Sequence, residues 1–551
     1  MLSLACQAGA RDGGWRVEAG ALVRGGDWIR PVAHPMLLAH AFQIPGGRLG
    51  LALLEDPEGA ALPRALELSH VDPDWLAVAR ADAEAWPLAW MWLEVGETYL
   101  ELTASRWPTL PVYVAESART ARASWAAADL YPWLPPRLDR EAARCFVERF
   151  EQPYGVRTLV DGLHRIPARH SAVWQPGEAW RIAPWGEQAP PYPRELTVAA
   201  DPPASLERLL KGALDRALPP APLRVGCGMS GGLDSAVVTA AALSQRPGVR
   251  AYGLVLPGDS RAPQSERRAT LAAALQVTDT AISVNPEPSW AATATARAAS
   301  FVASDELIYG PFDALYAAAA ADGCVAFLTG FGGDELMEPY WDEIDHAAEV
   351  AATAAPRSTG GLFDGAVPLA AELLRRELHF AQESAMGAAA DTGAQMLRHG
   401  LWPIHPLVTP ELSAYCQALP WTWRCDRRAM RELAGRLGVP ERIWREASPE
   451  SFSPMFADAF ADCAALEELL RARRLSAAGY APPGAGLRAL KRLRAGRAAK
   501  GDELPLIALA VLETTLGALQ QAHTAPAEAT PTLGLVQAPA GETPASSRGA
   551  G

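Results

Sequence analysis

At 551 residues the chain is too long for a single hydrophobic core, so two or more domains are expected. Its 49% hydrophobic and 21% charged content suits a soluble globular protein. The formal net charge of -13 argues against general nucleic-acid binding. No secretory signal opens the chain and no apolar run reads as long enough to span a bilayer, so a cytoplasmic protein without a membrane partner is expected. The seven cysteines form no CxxC pair and read as buried or incidental thiols in a reducing compartment.

Residues 1–195 read as β-rich, with short apolar runs at Trp15–Val23, Gly50–Leu54, Trp90–Leu102 and Leu110–Ala115 punctuated by Gly and Pro. Pro190 to Pro203 is rich in Pro and Ala and reads as a linker. A helix over Leu206–Ala217 follows. Leu223 to Met229 is a strand, Ser230-Gly231-Gly232-Leu233-Asp234-Ser235 a glycine turn, and Ala236 to Ala242 a helix. A strand over Val249–Leu256 is followed by a helix opened by Ser265 to Arg268 and running to Leu275. A third apolar run spans Thr280–Val284. This β-α-β-α-β order predicts a parallel, doubly wound sheet, with ligands at the carboxyl ends of its strands. Cys324–Leu328 is another such strand and ends in Thr329-Gly330-Phe331-Gly332-Gly333-Asp334-Glu335.

Further along, residues 354–361 read as a loop, 369–386 as a helix, and Pro410–Leu419 as a helix stopped by Pro420. Residues 471–500 carry nine basic side chains and no acidic one, a solvated helix face or a docking surface for an acidic partner. Leu504–Leu519 reads as a last packed helix. From Ala522 the chain is Ala, Pro, Thr, Gly and Ser and reads as a disordered tail.

The chemistry concentrates in the two glycine loops. Gly231 and Gly232 let backbone approach a ligand closely. The helix start behind them offers unpaired N–H groups to an anion. Ser230 and Ser235 add hydroxyls, and Asp234 adds a carboxylate suited to Mg2+. The loop has no lysine and does not fit the Walker pattern. Asp334 is a second carboxylate at a second strand end. Mg2+ bridged by a triphosphate suits such a pair, because it takes few protein oxygens and keeps phosphates as ligands.

Ser230 to Ser235 resembles the pyrophosphate loop of ATP-pyrophosphatase enzymes, in the version found in the asparagine synthetase family. Thr329 to Glu335 resembles that family's second motif. Trp107 to Ala115 and Gly162 to His170 resemble pieces of its N-terminal glutaminase. The resemblance covers roughly residues 100–450 and implies an α/β architecture. Residues 1–195 would form an Ntn-type β-rich sandwich, 204–521 a doubly wound ATP-pyrophosphatase synthetase domain, and 522–551 a tail. It also implies ATP and Mg2+ as cofactors, activation of a carboxylate as an acyl-adenylate with loss of pyrophosphate, and attack by an amine. By position, Ser230, Gly231, Gly232, Leu233, Asp234, Ser235, Thr329 and Gly330 would cradle the phosphates. Leu254 and Val255 would read adenine, and Asp234 and Asp334 would hold the metal.

Departures from the family narrow the reading. A glutaminase of this kind needs a cysteine directly after the initiator methionine, and Leu2 stands there. The domain therefore reads as degenerate, with Cys6 a small buried hydrophobe. Arg427 stands where the family has a lysine that neutralises the departing pyrophosphate; arginine keeps the charge but cannot readily give up a proton. Phe331 and Trp402 stand where the family places polar groups of the amine site, and suggest a more apolar substrate pocket. Glu335 and His405 are the remaining candidates for a base. The pattern resembles lasso-peptide cyclases. A peptide would supply carboxylate and amine, with a leader-peptide-binding protein or protease as partner. The alternatives are a β-lactam synthetase-like or other small-molecule amide ligase, ammonia-dependent asparagine synthesis, and a non-catalytic scaffold.

Overall fold

The computed structural model describes residues 1–7, 13–62, 64–107, 110–149, 154–186, 195–284, 309–340, 381–445, 464–496 and 503–524. Residues 190–194 of the expected linker, the 354–361 loop, most of the 369–386 helix, residues 497–500 and the tail beyond 524 lie outside them.

The N-terminal half builds two seven-stranded sheets. Pairing is antiparallel, except that Leu37–Gln43 and Glu67–His70 run parallel. One face of each sheet is apolar. Leu2, Leu4 and Cys6 of strand Leu2–Gln7 share a core with Leu49, Leu51, Leu53, Leu93 and Leu102 of the second sheet. Cys6 is fully buried there, as a small core residue would be. The two segments that suggested a glutaminase meet through neighbouring strands: Val112–Ala115 pairs antiparallel with Leu163–Ile166.

The second half carries a five-stranded sheet, parallel throughout. Its order is Asp279–Ser283, Arg250–Val255, Arg224–Gly228, Cys324–Leu328, Trp402–Ile404. Alternate residues feed two separate cores: Val225, Cys227, Ala326 and Leu328 face one, Tyr252, Leu254 and Phe327 the other. Helices Leu233–Gln245 and Arg261–Leu275 pack in the first core and Tyr309–Ala321 in the second. Both faces are therefore covered, as a parallel sheet requires. The outer strand Trp402–Ile404 is only three residues long and contains Pro403, which an edge strand tolerates.

The end of the chain returns to the N-terminal half. Helices Ala464–Arg471, Ala485–Arg494 and Glu503–Thr524 share a core with Tyr131, Leu138, Phe146 and Leu163. Tyr480 Oη donates to the Leu138 carbonyl and accepts from its N–H, both at 2.8 Å. The sequence reading denied the chain any membrane-length apolar run, but Leu504–His523 has the length and apolarity for one. It is 83% buried inside the protein, so its apolarity goes into this core.

Polar contacts among the described residues join the N-terminal half to the parallel-sheet half. Trp402 Nε1 donates to Glu55 Oε1 at 2.9 Å, His34 Nε2 donates to the Gly400 carbonyl at 3.2 Å, and Arg165 pairs with Asp391 at 3.1 Å.

Candidate active site

Strand order reverses between Arg224–Gly228 and Cys324–Leu328, whose helices lie on opposite faces, and a crevice opens at such a switch point. The two glycine loops leave these strands side by side. Gly231 turns the first at φ 99°, and helix Leu233–Gln245 starts behind it with Asp234 in its first turn. Ser230 and Ser235 are already engaged within the loop: their hydroxyls lie 3.2 Å apart, and Ser235 Oγ also donates to the Gly232 carbonyl at 3.1 Å.

The second loop presses onto this helix start. A Cβ at Gly330 would stand 2.7 Å from Ser235 N, and one at Gly333 would stand 2.2 Å from the Asp234 carboxylate. Only glycine permits both approaches. Thr329 is anchored from the far side, with its N–H on the Ile404 carbonyl at 3.0 Å and its hydroxyl on His405 Nδ1 at 2.7 Å.

Arg427 reaches the same point from residues far along the chain. Its Nη2 pairs with Asp234 Oδ1 and its Nη1 with Asp334 Oδ1. Asp426 and Arg427 both have left-handed backbone, at φ 52° and 58°, which non-glycine residues adopt at a cost. Burial, the largest influence, pushes the Asp234 carboxyl up to about 7. Arg427 opposes this, while Asp334 and Glu335 reinforce it. No cluster of three or more His, Cys, Asp or Glu that could hold a metal occurs among the described residues. Two hard carboxylates close enough for one cation to serve both fit Mg2+, which takes its other ligands from water and phosphate.

Leu254 and Val255 are buried at the end of strand Arg250–Val255. The Leu254 carbonyl accepts from Arg268 Nη1 at 3.3 Å, and that of Val255 from Val284 N at 2.9 Å. Gln264 and Arg268, which the sequence reading did not single out, brace this region. Gln264 bonds Leu256 N at 2.8 Å and the Ser230 carbonyl at 3.4 Å, and buried Arg268 is paired with Asp279. Their only sequence signal was polar residues four apart on a helix flanking the sheet.

The acceptor-side candidates separate. Phe331 lies 6.4 Å from Phe312 and 6.2 Å from His405 between ring centres. Glu335 is half-buried in the turn that carries Asp334. Trp402 is placed elsewhere than the substrate pocket expected of it: it is fully buried against His34 and Glu55, at the contact with the N-terminal half. His405 is buried behind Thr329, and burial pulls its pKa down to about 3, against the pull of the Ala389 backbone. Its ring is neutral and weakly basic at any physiological pH, which suits holding Thr329 better than taking a proton.

Residues 205–517 match the sequence pattern of the family described as Asparagine synthase, more than half of the chain. The chain belongs to the asparagine synthase family. As a member it is an ATP-dependent amide ligase. No curated protein sequence matches it significantly. Among solved structures, NMN synthetase from Francisella tularensis is 16% identical over 60% of this chain and 99% of that one, with a TM-score of 0.23. NH3-dependent NAD synthetase from Campylobacter jejuni is 14% identical over 55% and 97%, with a TM-score of 0.24. A U34-tRNA thiolase from Methanococcus maripaludis is 10% identical over 53% and 77%, with a TM-score of 0.23. At these scores the likenesses add nothing to the family assignment, which rests on the sequence match, or to the fold, which the strand order gives directly.

Proposed function

We propose that this asparagine synthase family member activates a carboxylate as an acyl-adenylate and joins it to an organic amine, with a peptide as substrate, as lasso-peptide cyclases do. The observation that carries the reading is the convergence of Asp234, Asp334 and Arg427 where the two glycine loops touch. ATP lies with its phosphates over Ser230–Ser235 and its adenine toward Leu254 and Val255. The substrate carboxylate oxygen attacks the α-phosphorus and pyrophosphate leaves. The amine nitrogen then attacks the acyl carbon, AMP leaves, and the nitrogen loses a proton. Asp234 and Asp334 would hold Mg2+, which would supply charge stabilisation for the triphosphate. Helix Leu233–Gln245 aims its N-terminal amides at the departing pyrophosphate, and the permanent charge of Arg427 offsets what develops there.

Phe331 and Phe312 favour a bulky or apolar acceptor, and they carry this point without Trp402. With His405 buried and weakly basic, the amine enters neutral or gives its proton to Glu335. The N-terminal half is a degenerate Ntn-type sandwich in this reading, with Leu2 and Cys6 of its first strand serving as core residues. The test is mass spectrometry of a candidate precursor peptide with the protein, a leader protease and ATP. Loss of one water from the peptide with formation of AMP is expected. Asparagine made from aspartate and ammonia at a comparable rate, with no peptide turned over, would refute the substrate class.

A further inference from the structure

We propose that Arg427 is an internal cation that closes the Asp234–Asp334 pair to metal until nucleotide arrives, so that metal reaches the pair only together with ATP. This rests on the reading of the two carboxylates as the metal site.

The guanidinium uses one terminal nitrogen for each carboxylate, Nη2 on Asp234 and Nη1 on Asp334. It thus stands where a divalent ion shared by both would stand. A fork of fixed geometry spans two carboxylates in a way that a point charge on a flexible stem does not. A divalent ion entering with Arg427 in place would face a like charge beside Asp234, whose side chain is only 18% exposed, while Asp334 stands open to solvent. The triphosphate removes that obstacle by bringing several negative charges and offering the guanidinium another partner. Arg427 has a donor in reserve for it: its Nε is buried and has no hydrogen-bond partner among the described residues. The consecutive left-handed residues Asp426 and Arg427 hold the side chain over the crevice at a conformational cost, as backbone under functional constraint does.

The test is uptake of Mn2+ by the full chain, read as loss of the free-ion electron paramagnetic resonance signal, with and without α,β-methylene-ATP. Wild type should take up Mn2+ weakly alone and tightly with the analogue. Arg427→Met should bind Mn2+ without nucleotide about tenfold or more tighter than wild type, and Asp234→Asn in the same background should abolish that gain. In Arg427→Ala, millimolar methylguanidinium should compete with Mn2+, which a misfolded variant would not show. Nucleotide-free wild type binding Mn2+ as tightly as Arg427→Met would overturn the role of Arg427 and leave the metal site standing. Analogue-dependent Mn2+ uptake that survives both Asp234→Asn and Asp334→Asn would overturn the metal site, and this proposal with it.

Discussion

Glu55 and His34 should give the contact between the two halves opposing pH dependences, and single substitutions should expose each. Both side chains are buried beside Trp402. Burial pushes the Glu55 carboxyl from 4.5 up to about 7, although bonds from Trp402 Nε1 and Ala89 N favour its charged form. Its folded pKa therefore lies above the unfolded one. The stability it contributes is complete below pH 4.5 and is lost as pH rises to 7, by about 3 kcal/mol at roughly 1.4 kcal/mol per pKa unit. Burial pulls His34 from 6.5 down to about 4. That contribution is present above pH 6.5 and lost as pH falls to 4, again by about 3 kcal/mol. Glu55→Gln removes the first titration but turns an amide N–H toward Ala89 N, a pH-independent cost of about 1–3 kcal/mol. Measured by denaturant unfolding followed through tryptophan fluorescence, the variant should be less stable than wild type at pH 5 and equal or more stable at pH 7.5. His34→Gln should gain on wild type as pH falls from 6.5 to 4. A Glu55→Gln difference that stays flat between pH 4.5 and 7 would show that Glu55 ionises freely in the fold. Water in the cavity of about 30 Å3 that Glu55 and His405 help to line would be the physical reason.

Asp234→Ala and Asp334→Ala should each lower substrate-dependent ATP–pyrophosphate exchange by about a thousandfold or more, with unchanged circular dichroism. Full exchange in either would remove that residue from the site. Gly330→Ala puts a methyl 2.7 Å from Ser235 N, a backbone atom that cannot swing aside, so it should push the two loops apart. Exchange should fall about 10–100-fold, whereas a Gly330→Ala enzyme with wild-type exchange would mean that loop contact is dispensable. The protein should release no glutamate from glutamine above the buffer rate. Release that disappears in Cys6→Ser would reverse the reading of the N-terminal half.

The two glycine loops were legible because their signal is local: a strand, small residues and a helix start within about a dozen positions. The β-α-β-α-β order behind the parallel sheet was legible for the same reason. Arg427 could be placed by spacing from the resemblance, but its fork across both carboxylates depends on a contact 193 residues away in sequence. Trp402 misled because a large aromatic near a motif reads alike whether it faces a substrate or another domain, and only burial against Glu55 tells them apart. The three-residue strand that carries it was invisible, since Trp-Pro-Ile has neither the length nor the period of a strand. Of the helices beyond residue 464, the last was readable as Leu504–Leu519, within the observed Glu503–Thr524, and Ala464–Arg471 was not. Their docking on the N-terminal half was not, because an apolar face does not name its partner.

The contacts also give the N-terminal half a structural task beside the parallel sheet. Trp402–Ile404 is the outer strand of the parallel sheet, and an unpartnered edge is a liability that proteins cover. Glu55 and His34 hold its start through Trp402 and the neighbouring Gly400. The end of the same strand holds the second glycine loop, because the Ile404 carbonyl takes the Thr329 N–H and His405 takes its hydroxyl. One residue further, Gly330 lies against Ser235, and Gly333 lies against the carboxylate of Asp234. A continuous line of packed groups thus runs from the N-terminal sheets to the two glycine loops. Removing the N-terminal half would uncover Trp402, strand Trp402–Ile404 and helix Glu503–Thr524 together. Its sheets are therefore part of what positions the two glycine loops.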